Sequence, residues 1–108
     1  MRLQRAGDAV IVAPSGTLEG PEVDRLRRVL LSREGYGCVV LDLRELGGIG
    51  PDGVELLHEL RTRAGAGEHD LALVVGPRSR AWLEEIGIGD LELDDDLDAV
   101  LARRAPQP

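Results

Sequence analysis

The chain has 108 residues, a formal net charge of −7 at pH 7 and only 2% aromatic residues. This length suits one domain that buries a core without disulfides or a structural metal, so we expect a single domain over residues 1–104 and a disordered tail over 105–108. The acidic charge and the shortage of aromatic rings exclude nucleic acid as an expected partner, because phosphate contacts need a basic face and base stacking needs aromatic side chains.

The sequence also lacks the features that direct a chain into a membrane. No apolar run is long enough to span a bilayer, and the chain does not begin with a charged and then apolar signal segment. Its single cysteine, Cys38, lies inside a strand pattern. We therefore expect a reducing, cytoplasmic setting with no direct membrane insertion. The chain contains Arg but no Lys, a bias typical of GC-rich coding, from which we expect a bacterial source.

Along the chain, the first predicted elements are a hairpin and a helix. Residues 2–5 and 9–13 flank a Gly-Asp pair, which favours a tight turn, so we expect them to pair as antiparallel strands. Pro21 then opens a helix that runs to about Ser32. Its apolar residues recur at helical spacing and form one inward face.

The middle of the chain predicts a buried strand, a loop and an amphipathic helix. The continuous apolar run at 38–43 is typical of a strand buried on both faces, which indicates a parallel sheet. A glycine-rich loop at 46–53 leads into a helix that starts at Gly50-Pro51-Asp52. Proline is preorganised for the first helical position, and the acid that follows it meets the positive end of the helix dipole.

The last third predicts a second central strand, two helices and a short edge strand. The apolar run at 71–75 forms the strand, and Ser79 caps a helix that continues through Ile86. We expect Trp82 on the inward face of this helix, packed in the core against that strand. An edge strand over residues 91–93 precedes the last helix. The order ββαβαβα(β)α predicts an α/β fold, a small mixed, mostly parallel β-sheet with an N-terminal hairpin and about four helices packed on it.

Three short motifs follow one another along the chain. Gly-Thr-Leu-Glu at 16–19 is similar to a Gly-x-Leu-Asp motif, and Val-Val-Leu-Asp-Leu at 39–43 is similar to a Val-Leu-Asp-Leu strand. Ile-Gly-Pro-Asp-Gly-Val at 49–54 lies in the place of an Ile-Asp-Ser-Ser-Gly-Leu loop. In this order, over about residues 2–103, they resemble the STAS domain family, the fold of bacterial anti-sigma factor antagonists. The resemblance implies a STAS-like fold and a non-enzymatic, protein-binding role in transcription regulation, called anti-anti-sigma activity.

The resemblance also implies a partner and a switch. Members of the family bind an anti-sigma factor kinase when the second serine of the loop is unmodified, and phosphorylation of that serine by the kinase releases them. In this chain Gly50, Pro51 and Asp52 stand at the positions of the family's Asp, first Ser and phosphoacceptor Ser. No hydroxyl residue lies between the strand at 38–43 and the second helix, so a conventional serine switch is not expected at this site.

Asp52 has two interpretations that the sequence leaves open. Phosphoserine carries a charge of about −1.5 to −2 and three acceptor oxygens, so a carboxylate in its place would be a partial and permanent mimic of the modified form. An acid in the first turn of a helix also contributes about 0.3 to 1 kcal/mol through the helix dipole. In this second interpretation Asp52 serves stability alone.

We predict that protein contacts are made by the loop at 46–53 and by the exposed face of the second helix. The candidate contact residues are Gly48, Ile49, Gly50, Pro51, Asp52, Gly53 and Glu55. Asp42 is a candidate supporting residue, because open α/β sheets place their ligand sites at the carboxyl ends of strands. An acid at a strand end can equally serve as an acceptor for the N–H groups of the following loop.

Catalysis, metal binding and cofactor binding are not predicted. No nucleophile stands at motif spacing from a base, and His58 and His69 are not paired at the spacing of metal ligands. The glycines at 47–50 lack the spacing of a phosphate-binding loop. The acidic segment at 84–98 is either a solvated surface or a docking face for a basic partner.

Two other functions stay open at the level of sequence. The first is a nucleotide-sensing or small-molecule-sensing STAS domain that uses the same loop. The second is the small STAS subunit of a transporter ATPase complex, which copurification with that ATPase would reveal. The sequence does not identify the partner, the sigma factor or the oligomeric state.

Overall fold

In the computed structural model of the chain, the described residues are 1–7, 9–31, 38–65, 71–88 and 93–104. These residues form seven strands and four helices. The strands are β1 (Arg2–Ala6), β2 (Ala9–Ala13), β3 (Gly16–Leu18), β4 (Cys38–Asp42), β5 (Leu46–Ile49), β6 (Leu71–Val74) and β7 (Leu93–Asp94). The helices are α1 (Pro21–Leu31), α2 (Pro51–Gly65), α3 (Pro77–Glu85) and α4 (Leu97–Arg104).

A five-stranded sheet in the order β1-β2-β4-β6-β7 lies at the centre of the fold. β1 and β2 pair antiparallel, with Leu3 opposite Val12, whereas the other neighbours in this sheet pair parallel, as Leu41 does with Leu73. β2, β4 and β6 are buried along their whole length, which explains why their apolar runs show no alternation. The predicted α/β fold, with its N-terminal hairpin and mostly parallel sheet, is confirmed.

Helices cover both faces of this sheet and divide the core into two clusters. The larger cluster joins α1, α2 and α3 to one face, with Leu57 and Leu83 packed among strand residues such as Leu41. The smaller cluster joins Val100 of α4 to the other face, which includes Val40. Because neighbours in a strand point to opposite faces, Val40 and Leu41 enter different clusters.

β3 and β5 form a second, two-stranded parallel sheet that the sequence did not predict. Their register shifts at Gly47, which is an extra residue between two paired ones. The prediction of a loop over 46–53 is therefore wrong in its first half, because the chain is strand up to Ile49 and helix from Pro51. The two strands are short and contain three glycines, so neither shows the alternation that identifies a strand from sequence.

The third helix begins earlier than predicted. Gly76 is its N-cap and Pro77 its first residue, a position for which proline is preorganised. Ser79 lies inside the first turn, where its buried hydroxyl accepts the Gly76 N–H at 3.0 Å. The prediction that Ser79 is the cap is therefore wrong, because its side chain reaches back to the cap from the third helical position.

Some predictions concern parts of the chain outside the described residues. They are the turn at Asp8, the end of the first helix near Ser32, His69, the first two residues of the edge strand at 91–93, and the tail at 105–108. The described part of that edge strand pairs parallel with β6. None of the described helices has both the length and the apolar character needed to cross a membrane. The domain boundary at residue 104 stays a prediction.

Candidate functional site

The starts of α1 and α2 lie side by side, because the paired strands β3 and β5 lead into them. β3 continues through Glu19 and Gly20 into α1, and β5 continues through Gly50 into α2. A hydrogen bond joins the two connections, with the Gly50 N–H donating to the Leu18 carbonyl at 2.9 Å. The positive ends of two helix dipoles are therefore close to one another at this end of the small sheet.

Asp52, in the first turn of α2, links the two helix starts through its carboxylate. Its Oδ2 accepts a hydrogen bond from the Gly20 N–H at 2.7 Å, and its Oδ1 accepts one from the Gly53 N–H at 3.1 Å. Gly20 in turn begins α1, since its carbonyl accepts the N–H groups of Val23 and Asp24. The half-buried Asp52 is therefore a structural connection between α2 and α1 as well as an acid at a helix start.

Gly50, at the connection between β5 and α2, has no room for a side chain. A Cβ atom at this position would lie 2.7 Å from the Cβ of Glu19 and 2.8 Å from its Oε2. It would also lie 3.2 Å from Oδ1 of Asp52. The Glu19 side chain thus occupies the space above Gly50, and two carboxylates flank the connection into α2.

Gly53 is required by the close approach of α2 to β3. A Cβ atom at Gly53 would lie 2.5 Å from the Leu18 carbonyl oxygen and 2.9 Å from Cγ2 of Ile49. A backbone carbonyl that is held in a sheet cannot move away as a flexible side chain could. Gly53 therefore has a packing role, and it is buried.

The predicted contact residues form one continuous stretch of the structure but differ in accessibility. Those that are exposed or half-buried are Gly48, Ile49, Pro51, Asp52 and Glu55. Gly50 and Gly53 are buried, and their backbones support the stretch from beneath. The accessible part of the candidate site is therefore the end of β5 together with the first turn of α2.

A groove of about 400 Å³ adjoins this surface and separates β5 from α3. Its lining residues are Gly47, Gly48, Ile49, Val54, Trp82, Glu85 and Ile86. The prediction of Trp82 as an inward core residue needs correction, because Trp82 is half-buried at the margin of the larger cluster while its neighbour Leu83 is fully buried. The sequence indicates a shared helical face through the spacing of Trp82, Glu85 and Ile86. Only the fold places that face beside β5.

The chemistry of the groove is apolar and weakly acidic. Four of its lining residues have apolar side chains, and Glu85 is the one charged residue among the described residues that line it. Nucleotide phosphates require cationic side chains or a cradle of backbone N–H groups at a helix start. A carboxylate at the rim disfavours such a ligand, which weakens the nucleotide-sensing alternative.

Asp42 lies on the opposite side of the central sheet from this groove. It borders a small cleft of about 140 Å³ together with Arg44 and with Leu97 of α4. The Asp42 carboxylate accepts the Arg44 backbone N–H at 3.1 Å and also binds the Arg44 guanidinium, with Nε at 3.0 Å and Nη2 at 2.8 Å. The interpretation of Asp42 as an acceptor for the N–H groups of the following turn is confirmed, and the structure does not bring its carboxylate together with the loop residues.

The ionisation of Asp42 is controlled by burial and by Arg44. Burial by itself would raise the pKa of Asp42, but the side-chain and backbone hydrogen bonds from Arg44 oppose that effect, helped by the positive charges of Arg44 and Arg2. The net result is a pKa below the ordinary value of 3.8. Asp42 is therefore an ionised, structurally paired group in the neutral range.

The remaining polar candidates have structural or solvent-facing positions. His58 is exposed on α2, and among the described residues no cluster of His, Cys, Asp and Glu is arranged to hold a metal ion. In the acidic segment, Asp96 caps α4, since its Oδ1 accepts the N–H groups of Asp98 at 3.0 Å and Ala99 at 3.4 Å. Part of this segment is thus explained by helix capping.

Comparison with known proteins identifies the fold. No family model matches the chain, and no curated protein sequence matches it. The anti-sigma factor antagonist SpoIIAA in its unphosphorylated form has a similar structure, with a TM-score of 0.75 and 17% identity over 99% of this chain and 98% of that one. An anti-sigma factor antagonist from Mycobacterium paratuberculosis is similar with a TM-score of 0.77 and 20% identity, over 94% of this chain and 90% of that one. The chain therefore has the fold of these antagonists over nearly its full length, and the STAS-like fold expected from the motifs is confirmed.

Proposed function

We propose that this protein is a non-enzymatic regulatory domain that binds a protein partner in the manner of an anti-sigma factor antagonist. The observation that carries the proposal is the accessible surface at the end of β5 and the first turn of α2, on a fold shared with two such antagonists. The expected partner is an anti-sigma factor, and the expected complex is stoichiometric. No cofactor takes part in this function.

The proposed complex is not switched by phosphorylation at the start of α2. Asp52 has no hydroxyl group, and both of its carboxylate oxygens already accept backbone hydrogen bonds. Gly50 and the overlying Glu19 leave no room for the family's acidic side chain at that position. These features support a protein whose affinity for its partner does not change through phosphorylation at this position.

The proposal is tested by a binding titration against the anti-sigma factor that is encoded nearest the gene of this chain. We expect an equimolar complex whose affinity is unchanged by prior incubation with ATP. Glu55→Arg, on the exposed face of α2, is expected to weaken the complex by about 10-fold or more, since a reversed charge at an interface costs more than about 1.4 kcal/mol.

The matched control is Asp98→Arg, a charge reversal at another exposed acid, on α4 at the other face of the central sheet. This variant should bind as the wild type does. The absence of any complex would contradict the proposed function, and a loss of binding confined to Asp98→Arg would contradict the proposed surface.

A further inference from the structure

The groove between β5 and α3 has one wall made of backbone and one made of apolar side chains. Gly47 and Gly48 border it from β5, and Gly47 is exposed. Trp82 of α3 and Ile86, the residue that caps the C-terminus of this helix, border it from the other side, and both are half-buried. Among the described residues, β5 pairs only with β3, so no strand covers its other side.

Steric crowding does not require either glycine of β5, although Gly47 is the extra residue where the register with β3 shifts. Neither has a positive φ, unlike Gly7, Gly16 or Gly20. A Cβ atom at Gly47 would have its nearest neighbour at 3.6 Å, and one at Gly48 at 3.5 Å, both ordinary van der Waals distances.

These glycines nevertheless lower stability, because glycine inside a strand costs about 0.5 to 1 kcal/mol relative to alanine. Glycine inside a strand is typical of a bulge, as at Gly47, or of a place where another backbone approaches closely. The fold can accommodate a side chain at either position. Because both residues are glycine, the backbone of β5 is accessible from the groove.

The negative charge of the groove and of the chain restricts which kind of partner can bind in the groove. Glu85 is in the lining, so the α3 side of the groove carries a carboxylate. The chain as a whole carries a net charge of −7, which favours a cationic partner. The groove also shares Gly48 and Ile49 with the surface of the proposed function, so one partner can cover both without a gap.

We propose that this groove binds an extended segment of the protein partner, whose backbone follows Gly47 and Gly48. An apolar side chain of that segment packs between Trp82 and Ile86, and a neighbouring basic side chain pairs with Glu85. This inference rests on the proposed function, to which it adds the chemistry of the bound segment. Extended peptides are recognised elsewhere by the same combination of main-chain contacts and a side-chain recess.

The first test uses synthetic peptides and needs no knowledge of the partner. Trp82 is the single tryptophan, so its fluorescence reports directly on the groove. The probe is an eight-residue peptide of alternating Leu and Arg, and the control is the same peptide with Glu in place of Arg. We expect the Arg peptide to shift the emission of Trp82 saturably, and the Glu peptide to bind about 10-fold more weakly or not at all.

Substitutions then separate the backbone wall from the charge. Gly47→Val and Gly48→Val each add a side chain at a glycine that borders the groove. We expect at least one of the two to weaken the Arg peptide about 10-fold or more while its unfolding midpoint stays at or above that of the wild type. Gly76→Val, where a Cβ meets nothing within 4 Å and which lies outside the groove lining, should leave peptide binding unchanged. Glu85→Arg should reverse the preference between the two peptides.

Failure of this inference is distinguishable from failure of the proposed function. If no peptide shifts the emission of Trp82, or if folded Gly47→Val and Gly48→Val proteins both bind as the wild type does, the inference is wrong. An intact complex of both glycine variants with the anti-sigma factor would likewise overturn it and leave the proposed function standing. Peptide binding without any complex with the anti-sigma factor would overturn the proposed function alone.

Discussion

The Asp52 carboxylate bridges the starts of two helices. The hydrogen bond from the Gly20 N–H joins residues 32 positions apart. A carboxylate is suited to this place, because it accepts from N–H groups where two helix dipoles present their positive ends. The structural interpretation of Asp52 is therefore supported by a specific hydrogen-bond donor, the Gly20 N–H. The phosphate-mimic interpretation depends only on the charge of Asp52.

Substitution of Asp52 separates these two interpretations. Asp52→Asn keeps an acceptor of the same size but removes the charge, and Asp52→Ser restores the family's residue with a shorter side chain. Each is expected to lower the free energy of unfolding by about 1 kcal/mol, measured by denaturant titration. If the charge repels the partner, both variants should bind the anti-sigma factor about 10-fold or more tightly than the wild type. Equal or weaker binding by both would reject the phosphate-mimic hypothesis.

Asp42 gives the fold a defined dependence on acid. Its pKa in the folded state lies below its ordinary value of 3.8, so ionised Asp42 stabilises the fold above that pH, and this contribution is lost as the pH falls through the lowered pKa. At neutral pH, Asp42→Asn should lower the free energy of unfolding by about 1.5 to 3 kcal/mol, the range for hydrogen bonds to charged groups.

The measurement is the difference in unfolding free energy between wild type and Asp42→Asn, taken from about pH 7 down to about pH 3. This difference should shrink only at the acid end. The exposed Glu84→Gln is the control and should show no comparable loss at neutral pH. A difference for Asp42→Asn that does not change with pH would show that Asp42 acts through shape and not through its charge.

The elements around the site are held together by close backbone approach as well as by the side chains of the larger cluster. α2 begins against β3, and Gly53 lies at the contact with the Leu18 carbonyl oxygen. The small sheet of β3 and β5 thereby fixes where both α1 and α2 start. The accessible surface of α2 owes its position to this contact.

Glycine substitutions compare two positions in these elements. Gly53→Ala should lower the free energy of unfolding by about 1 to 3 kcal/mol, because its Cβ would lie 2.5 Å from a backbone oxygen and something must shift. Gly48→Ala, whose Cβ has its nearest neighbour at 3.5 Å, should leave stability unchanged or raise it by about 0.5 to 1 kcal/mol. Denaturant midpoints measure both. Equal losses for the two variants would contradict the distinction between a packed and an open glycine.

The third helix presents neighbouring residues to different environments. Trp82 is half-buried in the groove wall, and Leu83 is fully buried in the larger cluster. Trp82→Ala should therefore cost about 1 to 3 kcal/mol, less than the 3 to 5 kcal/mol typical of a fully buried aromatic residue, and Leu83→Ala should cost about 2 to 5 kcal/mol. Thermal or denaturant unfolding provides the comparison. A larger loss of unfolding free energy for Trp82→Ala than for Leu83→Ala would show that Trp82 is a core residue, as the sequence predicts.

At the scale of the whole molecule, the central sheet keeps the binding surface and Asp42 apart. The groove and the starts of α1 and α2 belong to the face with the larger cluster, and Asp42 belongs to the face covered by α4. An ion pair between Arg27 of α1 and Glu59 of α2 adds a connection between the two helices that carry the site. The ion pair and the larger cluster thus hold together the two helices whose starts form the candidate site.

We accordingly expect no turnover by the folded protein. Incubation with ATP and Mg²⁺ should release no more phosphate than a heat-denatured sample does, because the groove offers a carboxylate where phosphate binding needs cations. Asp42→Asn and Asp52→Asn serve as controls for contaminating activity. A turnover that disappears with either substitution would contradict the non-enzymatic role.

The sequence by itself determined the order of the helices and of the central-sheet strands, the mostly parallel sheet and the start of α2 at Pro51. These features depend on local signals, namely continuous apolar runs for buried strands and a proline followed by an acid for a helix start. The sequence also placed the candidate contact residues together, because they are neighbours along the chain and stay close in any fold.

Only the tertiary structure decided the pairing of β3 with β5, the hydrogen bond from Gly20 to Asp52 and the groove between Gly48 and Trp82. Each of these joins segments about thirty positions apart, and no local pattern in the sequence shows which distant segments meet. The environment of Asp42 was likewise decided by the tertiary structure. Side chains alternate between the faces of a strand, and only the packing of the helices decides what each face meets.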